Sequence, residues 1–139
     1  MTYRTRLDAV VRIRERQEER AEKALAAANS HAVKTEERAT ALRQVAARDH
    51  RQGSSASHWD IVERAHTRAL SEARAADKAV EAAKKNVVAA QGVQQHAYKQ
   101  AEVVRHAVQA KRAEMTREAA RKETRELDEI ASLRHWHMR

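Results

Sequence analysis

The side chains with the plainest capacity for chemistry are the histidines and the glutamates. His135 and His137 flank Trp136 near the C-terminus. A metal ion needs three or four converging donors, and histidines at i and i+2 on a helix point to different faces. The other six histidines are scattered and form no HxxxH pair. Glutamates abound, but no glycine-rich phosphate loop, nucleophile elbow or paired histidine and carboxylate in a foldable pocket accompanies them. Cysteine is absent, which removes a disulfide framework and thiolate chemistry and fits a reducing compartment. The expectation is a protein with no catalytic residue, no cofactor and no metal, and not an enzyme.

The 139 residues are enough for one domain. Proline is absent, glycine occurs twice, and the only aromatics are Tyr3, Trp59, Tyr98 and Trp136. Charged residues make up 35%, and alanine supplies much of the 42% counted as hydrophobic. That is too little bulk for a compact core or for the apolar wall of an active-site pocket. Chains rich in Ala, Glu, Lys and Arg without breakers form long helices and coiled coils. Residues 1–20 carry arginines with no following apolar stretch, so no signal peptide is expected. The longest apolar run is Ala24–Ala28, far too short to span a bilayer, so no direct membrane insertion is expected.

The net charge of +8 is spread along the chain and interleaved with acids. Residues 1–52 carry 12 basic and 8 acidic groups, and residues 53–108 and 109–139 each carry 8 and 6. A nucleic-acid footprint concentrates its cations on one face, so no nucleic-acid partner is expected.

One stretch has turn chemistry: Gly53-Ser54-Ser55-Ala56-Ser57. Glycine permits left-handed backbone, and serines compete with helix hydrogen bonding. Ser57 is expected to cap a second helix, with Asp60 in its first turn. The expectation is an all-α single domain over 1–139: helix 1 over about 3–51, a turn at 53–57, and helix 2 over about 58–136. Heptad steps support this. From Leu7, nine of twelve positions through Ala46 are apolar; from Trp59, fourteen of eighteen through Glu118 are apolar. Such stripes mark a left-handed coiled coil, and a short turn folds it into an antiparallel hairpin.

A tight turn predicts a register in which Ala32 meets Val80, Leu25 meets Val87, Leu42 meets Ala69, Val11 meets Ala101 and Leu7 meets Val104. Glu18 then faces Gln94, and His66 faces Ala46. A shift by one heptad keeps the stripes aligned as well, and only the loop length decides against it. Local support is expected from i,i+4 pairs such as Asp8–Arg12 and Glu19–Lys23.

Helix 2 outruns helix 1. From about residue 109 it has no partner in the chain, roughly 45 Å of helix at 1.5 Å per residue. That overhang carries Met115, Ala119, Leu127, Ile130 and Leu133. An apolar stripe without a partner has one elsewhere, so the free end is expected to dock. The N-terminal tip is basic, with five arginines against Asp8 and Glu15 within residues 1–16. Val10 and Ile13 lie off the seam beside those arginines, as a docking tip facing an acidic or polar surface would.

Two segments carry a resemblance. The start, Arg6-Leu7-Asp8-Ala9-Val10-Val11-Arg12-Ile13-Arg14-Glu15-Arg16, and the end, Glu126-Leu127-Asp128-Glu129-Ile130-Ala131, are similar to those of the FliJ family of flagellar export proteins. The resemblance implies a central-stalk component of the type III export apparatus, a two-helix coiled coil like the γ stalk of rotary ATPases. It implies insertion of the open end into the hexameric flagellar export ATPase, promotion of ring assembly, coupling to the export gate protein, and contact with export chaperones. It implies a monomer or weak dimer in the cytoplasm, peripheral at the cytoplasmic face of the inner membrane. Leu7, Val10, Val11, Ile13, Arg14, Leu127, Asp128, Glu129 and Ile130 match the family's segments and are expected to contact partners. The alternatives are an injectisome secretion stalk and a self-associating structural coiled coil.

Overall fold

Breaker-free sequence on either side of residues 48–58 folds as two long helices. The computed structural model describes residues 5–48, 53 and 55–137, with His137 by its backbone alone. Helix α1 runs from Leu7–Ala47 and α2 from Trp59–His137, 41 and 79 residues. No strand is present among the described residues. The protein is an all-α two-helix hairpin with a longer second helix. The expected end of helix 1 near 51 lies outside the described residues.

Asp8 fixes the start of α1. The Thr5 amide donates to Asp8 Oδ2 at 2.7 Å, and the Asp8 amide donates to the Thr5 carbonyl at 3.1 Å. This is the carboxylate half of a capping box. Gly53 takes φ +80°, the left-handed backbone its type permits. Ser57 does not cap α2. It lies inside a single 3-10 turn, Ala56–His58, that precedes the helix, and Ser55 stands at that turn's cap position. The serine hydroxyls bond sideways: Ser55 Oγ lies 2.9 Å from Ser57 Oγ and 2.7 Å from His58 Nδ1. Asp60 does sit in the first turn of α2.

The chain divides into two compact units, residues 19–96 and residues 1–18 with 97–139. In the first, α1 and α2 pair antiparallel through alanine. Ala39 packs with Ala76 and Val80, Ala46 packs with Ala69 and Ala73, and Leu42 touches both groups. Arg43 Nε donates to Asp77 Oδ1 at 2.8 Å, and Lys84 Nζ lies 4.0 Å from Glu36 Oε2.

This register corrects the expected one. Val80 meets Ala39 rather than Ala32, and Ala46 meets Ala73 rather than His66, each a displacement of one heptad. Leu42 still packs against the group that holds Ala69. Alanine seams repeat every seven residues and discriminate weakly between such registers. The eleven residues of 48–58 do not force a tight turn, and the shifted register brings Arg43 to Asp77 and Glu36 to Lys84.

In the second unit, Val108 and Ala101 are buried on α2. Val11 lies beside Val108 in a shared groove, again seven positions beyond the expected Ala101. Among the buried apolar residues that the structure describes, only Val80 and Val108 are larger than alanine. Burial returns about 25 cal/mol per Å², so each alanine contact stabilises little. Pairing charges therefore decide much of the register.

The unpartnered end of the second helix

Three side-chain links tie residues 8–18 of α1 to α2. Arg105 Nη2 donates to Glu18 Oε2 at 2.6 Å, with Glu15 at 3.7 Å and Glu102 at 3.8 Å from the same guanidinium. Glu18 occupies a seam position and is buried, so the expected facing with Gln94 gives way to a cross-helix ion pair. Its carboxylate raises the Arg105 pKa, with Glu15 and Glu102 adding to the effect. Arg14 Nη1 donates to Gln17 Oε1 at 2.9 Å and also to Gln100 Oε1. Arg112 Nη2 donates to Asp8 Oδ1 at 2.8 Å. Thr5's amide first, and then the Arg112 charge, hold the Asp8 carboxyl below its ordinary value. Asp8 thus reaches across to Arg112 instead of along α1 to Arg12, while the expected Glu19–Lys23 pair forms at 2.7 Å.

Arg112 is the last residue of α2 with a hydrogen bond or ion pair to α1 among the described residues. Met115 and Ala119 are half-buried, and every residue from Ala120 to Trp136 is exposed. On this stretch Leu127, Ile130 and Leu133 stand 60%, 49% and 62% exposed. They recur every third residue and form one ridge. Glu123, Glu126 and Glu129 each precede one of them by four residues, so a carboxylate ridge runs alongside. None of these glutamates makes an ion pair among the described residues. Asp128 is exposed as well, and its carbonyl accepts from Ser132 Oγ at 2.8 Å.

The N-terminal candidates are a separate set. Leu7, Val10 and Ile13 are exposed. Val11 is half-buried against the groove with Val108, and Arg14 is half-buried in its hydrogen bonds. Leu127 lies fifteen positions beyond Arg112, roughly 22 Å of helix. No described contact joins the two sets. The Glu18–Arg105 pair was not found from the sequence; the signal was Glu18 as the one acid in a mostly apolar seam, with Arg105 beside the seam of α2.

Among the described residues no group of three His, Cys, Asp or Glu side chains gathers as a metal site. No helix among them is long and apolar enough to cross a membrane. Exposed ridges on an unpaired helix can bind another surface; they cannot shield a reaction from water.

The family model described as flagellar FliJ protein matches residues 3–139. No curated protein and no solved structure matches the chain.

Proposed function

The chain belongs to the FliJ family of flagellar export proteins, and from that premise we propose that it is a non-enzymatic stalk that docks the free end of α2 on the hexameric export ATPase. In this reading it promotes assembly of the ATPase ring, couples the ring to the export gate protein, and meets export chaperones along its length. Its place is the cytoplasmic face of the inner membrane, held through the export apparatus. The observation that supports the reading is the ridge of Leu127, Ile130 and Leu133, exposed on the stretch of α2 from Ala120 to Trp136 that lies wholly open beyond the Arg112–Asp8 link. Apolar anchors with charged neighbours are what a protein interface uses for affinity and orientation.

The test is ATP hydrolysis and ring formation by the cognate export ATPase with and without this protein. Addition of the wild-type chain raises turnover and ring yield, and Leu127→Asp abolishes the gain while the chain keeps its helical circular dichroism. If the wild-type chain changes neither turnover nor assembly, or if Leu127→Asp stimulates as well as wild type, the reading fails.

A further inference from the structure

In the unit of residues 19–96 the two sides of the helix pair differ. One side is latched by ions: Arg43 to Asp77 and Glu36, and Glu36 to Lys84. The other side is an open trough of about 680 Å³. Leu42 and Ala76 form its floor, and Ala75 and Ala79 form a low wall on α2. Ala27 on α1 and Ala82 on α2 continue that side at helical spacing, and both are exposed. The α1 rim is cationic, with Lys34 and Arg38, and neither has an ion-pair partner among the described residues. Glu72, the acid on the facing rim, is already held by Arg68 Nε at 3.0 Å. The trough is therefore apolar at the bottom and net positive at the edge.

The same chain carries a segment of the opposite character. Residues 123–133 present the Leu127, Ile130 and Leu133 ridge beside the unpaired glutamates Glu123, Glu126 and Glu129. Large apolar side chains would fill the space above the alanines, and the adjacent carboxylates would meet Lys34 and Arg38. Filling its own trough would require α2, unbroken from Trp59–His137, to break.

We infer that the trough receives the 123–133 segment of a second copy of this chain. Reciprocal docking gives each chain one trough and one ridge in the contact, an arrangement that closes as a two-fold dimer. The dimer goes beyond the stalk reading and needs no ATPase, but it covers the same apolar ridge. The protein thereby keeps its docking end shielded until a tighter partner displaces the second copy.

Sedimentation velocity over a concentration series, on the full chain at low salt, is the test. Wild type shows a concentration-dependent dimer that weakens as salt screens the pairs. The double variant Lys34→Glu/Arg38→Glu and the double variant Glu126→Lys/Glu129→Lys each bring like charges together, and each alone dimerises at least about tenfold more weakly. In their equimolar mixture the heterodimer makes one contact with reversed signs and one with native signs, and the mixture dimerises like wild type. All four positions are exposed, and far-UV circular dichroism checks that each variant keeps its helices. Should a double variant lose helicity, Arg38→Glu against Glu129→Lys supplies the same comparison. A wild type monomeric throughout, variants that dimerise unimpaired, or a mixture that stays monomeric would each overturn the inference. ATPase stimulation by a strictly monomeric wild type would leave the stalk reading standing without the dimer.

Discussion

Arg105 of α2 donates to Glu18 of α1 at 2.6 Å, and Glu18 is a buried carboxylate among described residues whose other buried side chains are alanine and valine. Burying an acid costs more than an alanine contact returns unless the charge is met. Removing one partner is therefore worse than removing both. Arg105→Leu leaves Glu18 unpaired near Glu15 and Glu102 and lowers the urea midpoint. Glu18→Leu/Arg105→Leu regains that loss and reaches or passes wild type. A double variant as unstable as Arg105→Leu would show that the pair, not the uncompensated charge, sets stability.

Acid should loosen the start of α1 first. The Asp8 carboxyl lies below its ordinary 3.8 because the Thr5 amide donates to it and Arg112 stands beside it. A carboxylate with a depressed folded-state pKa stabilises above the unfolded value, and that contribution disappears as pH falls through the lower folded value. Hydrogen exchange of the amides in the first turns of α1 should accelerate below about pH 4 before the rest of the helix does. Asp8→Asn should remove this pH dependence and show the faster exchange at neutral pH too.

Disulfide trapping separates the two heptad registers. Ala39→Cys/Val80→Cys should close rapidly within one chain under mild oxidation, because Ala39 and Val80 share a packed cluster. Ala32→Cys/Val80→Cys should stay reduced, since position 32 is seven residues away, about 10 Å along the helix. Rapid closure of the second pair would restore the register that a tight turn predicts.

The helices, their antiparallel pairing and the longer second helix were all legible in the heptad stripes. Register was not, because the apolar stripes fit themselves equally well after a slip of seven. The deciding information lay in charges distant in sequence: Asp8 with Arg112, Arg43 with Asp77 and Glu36 with Lys84 share one register. The local i,i+4 rule pairs Asp8 with Arg12 on the same helix and so misses the charge that fixes the alignment. The cap failed similarly, since the sequence motif does not say whether Ser57 starts the α-helix or a 3-10 turn before it. Leu127 and Ile130 were legible as an exposed ridge because nothing in helix 1 is long enough to cover them.

Gly92 is a reserve of stability. It lies inside α2, and a Cβ there would meet no atom within 4 Å. Gly92→Ala should raise stability by about 0.5–1 kcal/mol through helix propensity and reduced unfolded-state entropy. Gly53 behaves oppositely, because its φ of +80° disfavours any side chain. Gly53→Ala should cost about 1 kcal/mol. Urea titration of both variants reads the contrast, and a stabilised Gly53→Ala would contradict the turn geometry.

The two candidate contact sets should act separately. Ile13 on α1 and Leu127 on α2 are both exposed, and no described contact joins their surroundings. Ile13→Asp and Leu127→Asp should each leave the urea midpoint within about 0.5 kcal/mol of wild type. Their losses of ATPase stimulation should add as free energies in the double variant, as distant sites do. Arg14→Ala should behave differently. Its guanidinium is engaged by Gln17 and Gln100, so its removal lowers stability before it lowers stimulation. Arg14→Ala at wild-type stability with stimulation lost would instead make Arg14 a direct partner contact. Strong non-additivity between Ile13→Asp and Leu127→Asp would mean that one partner surface bridges both sets.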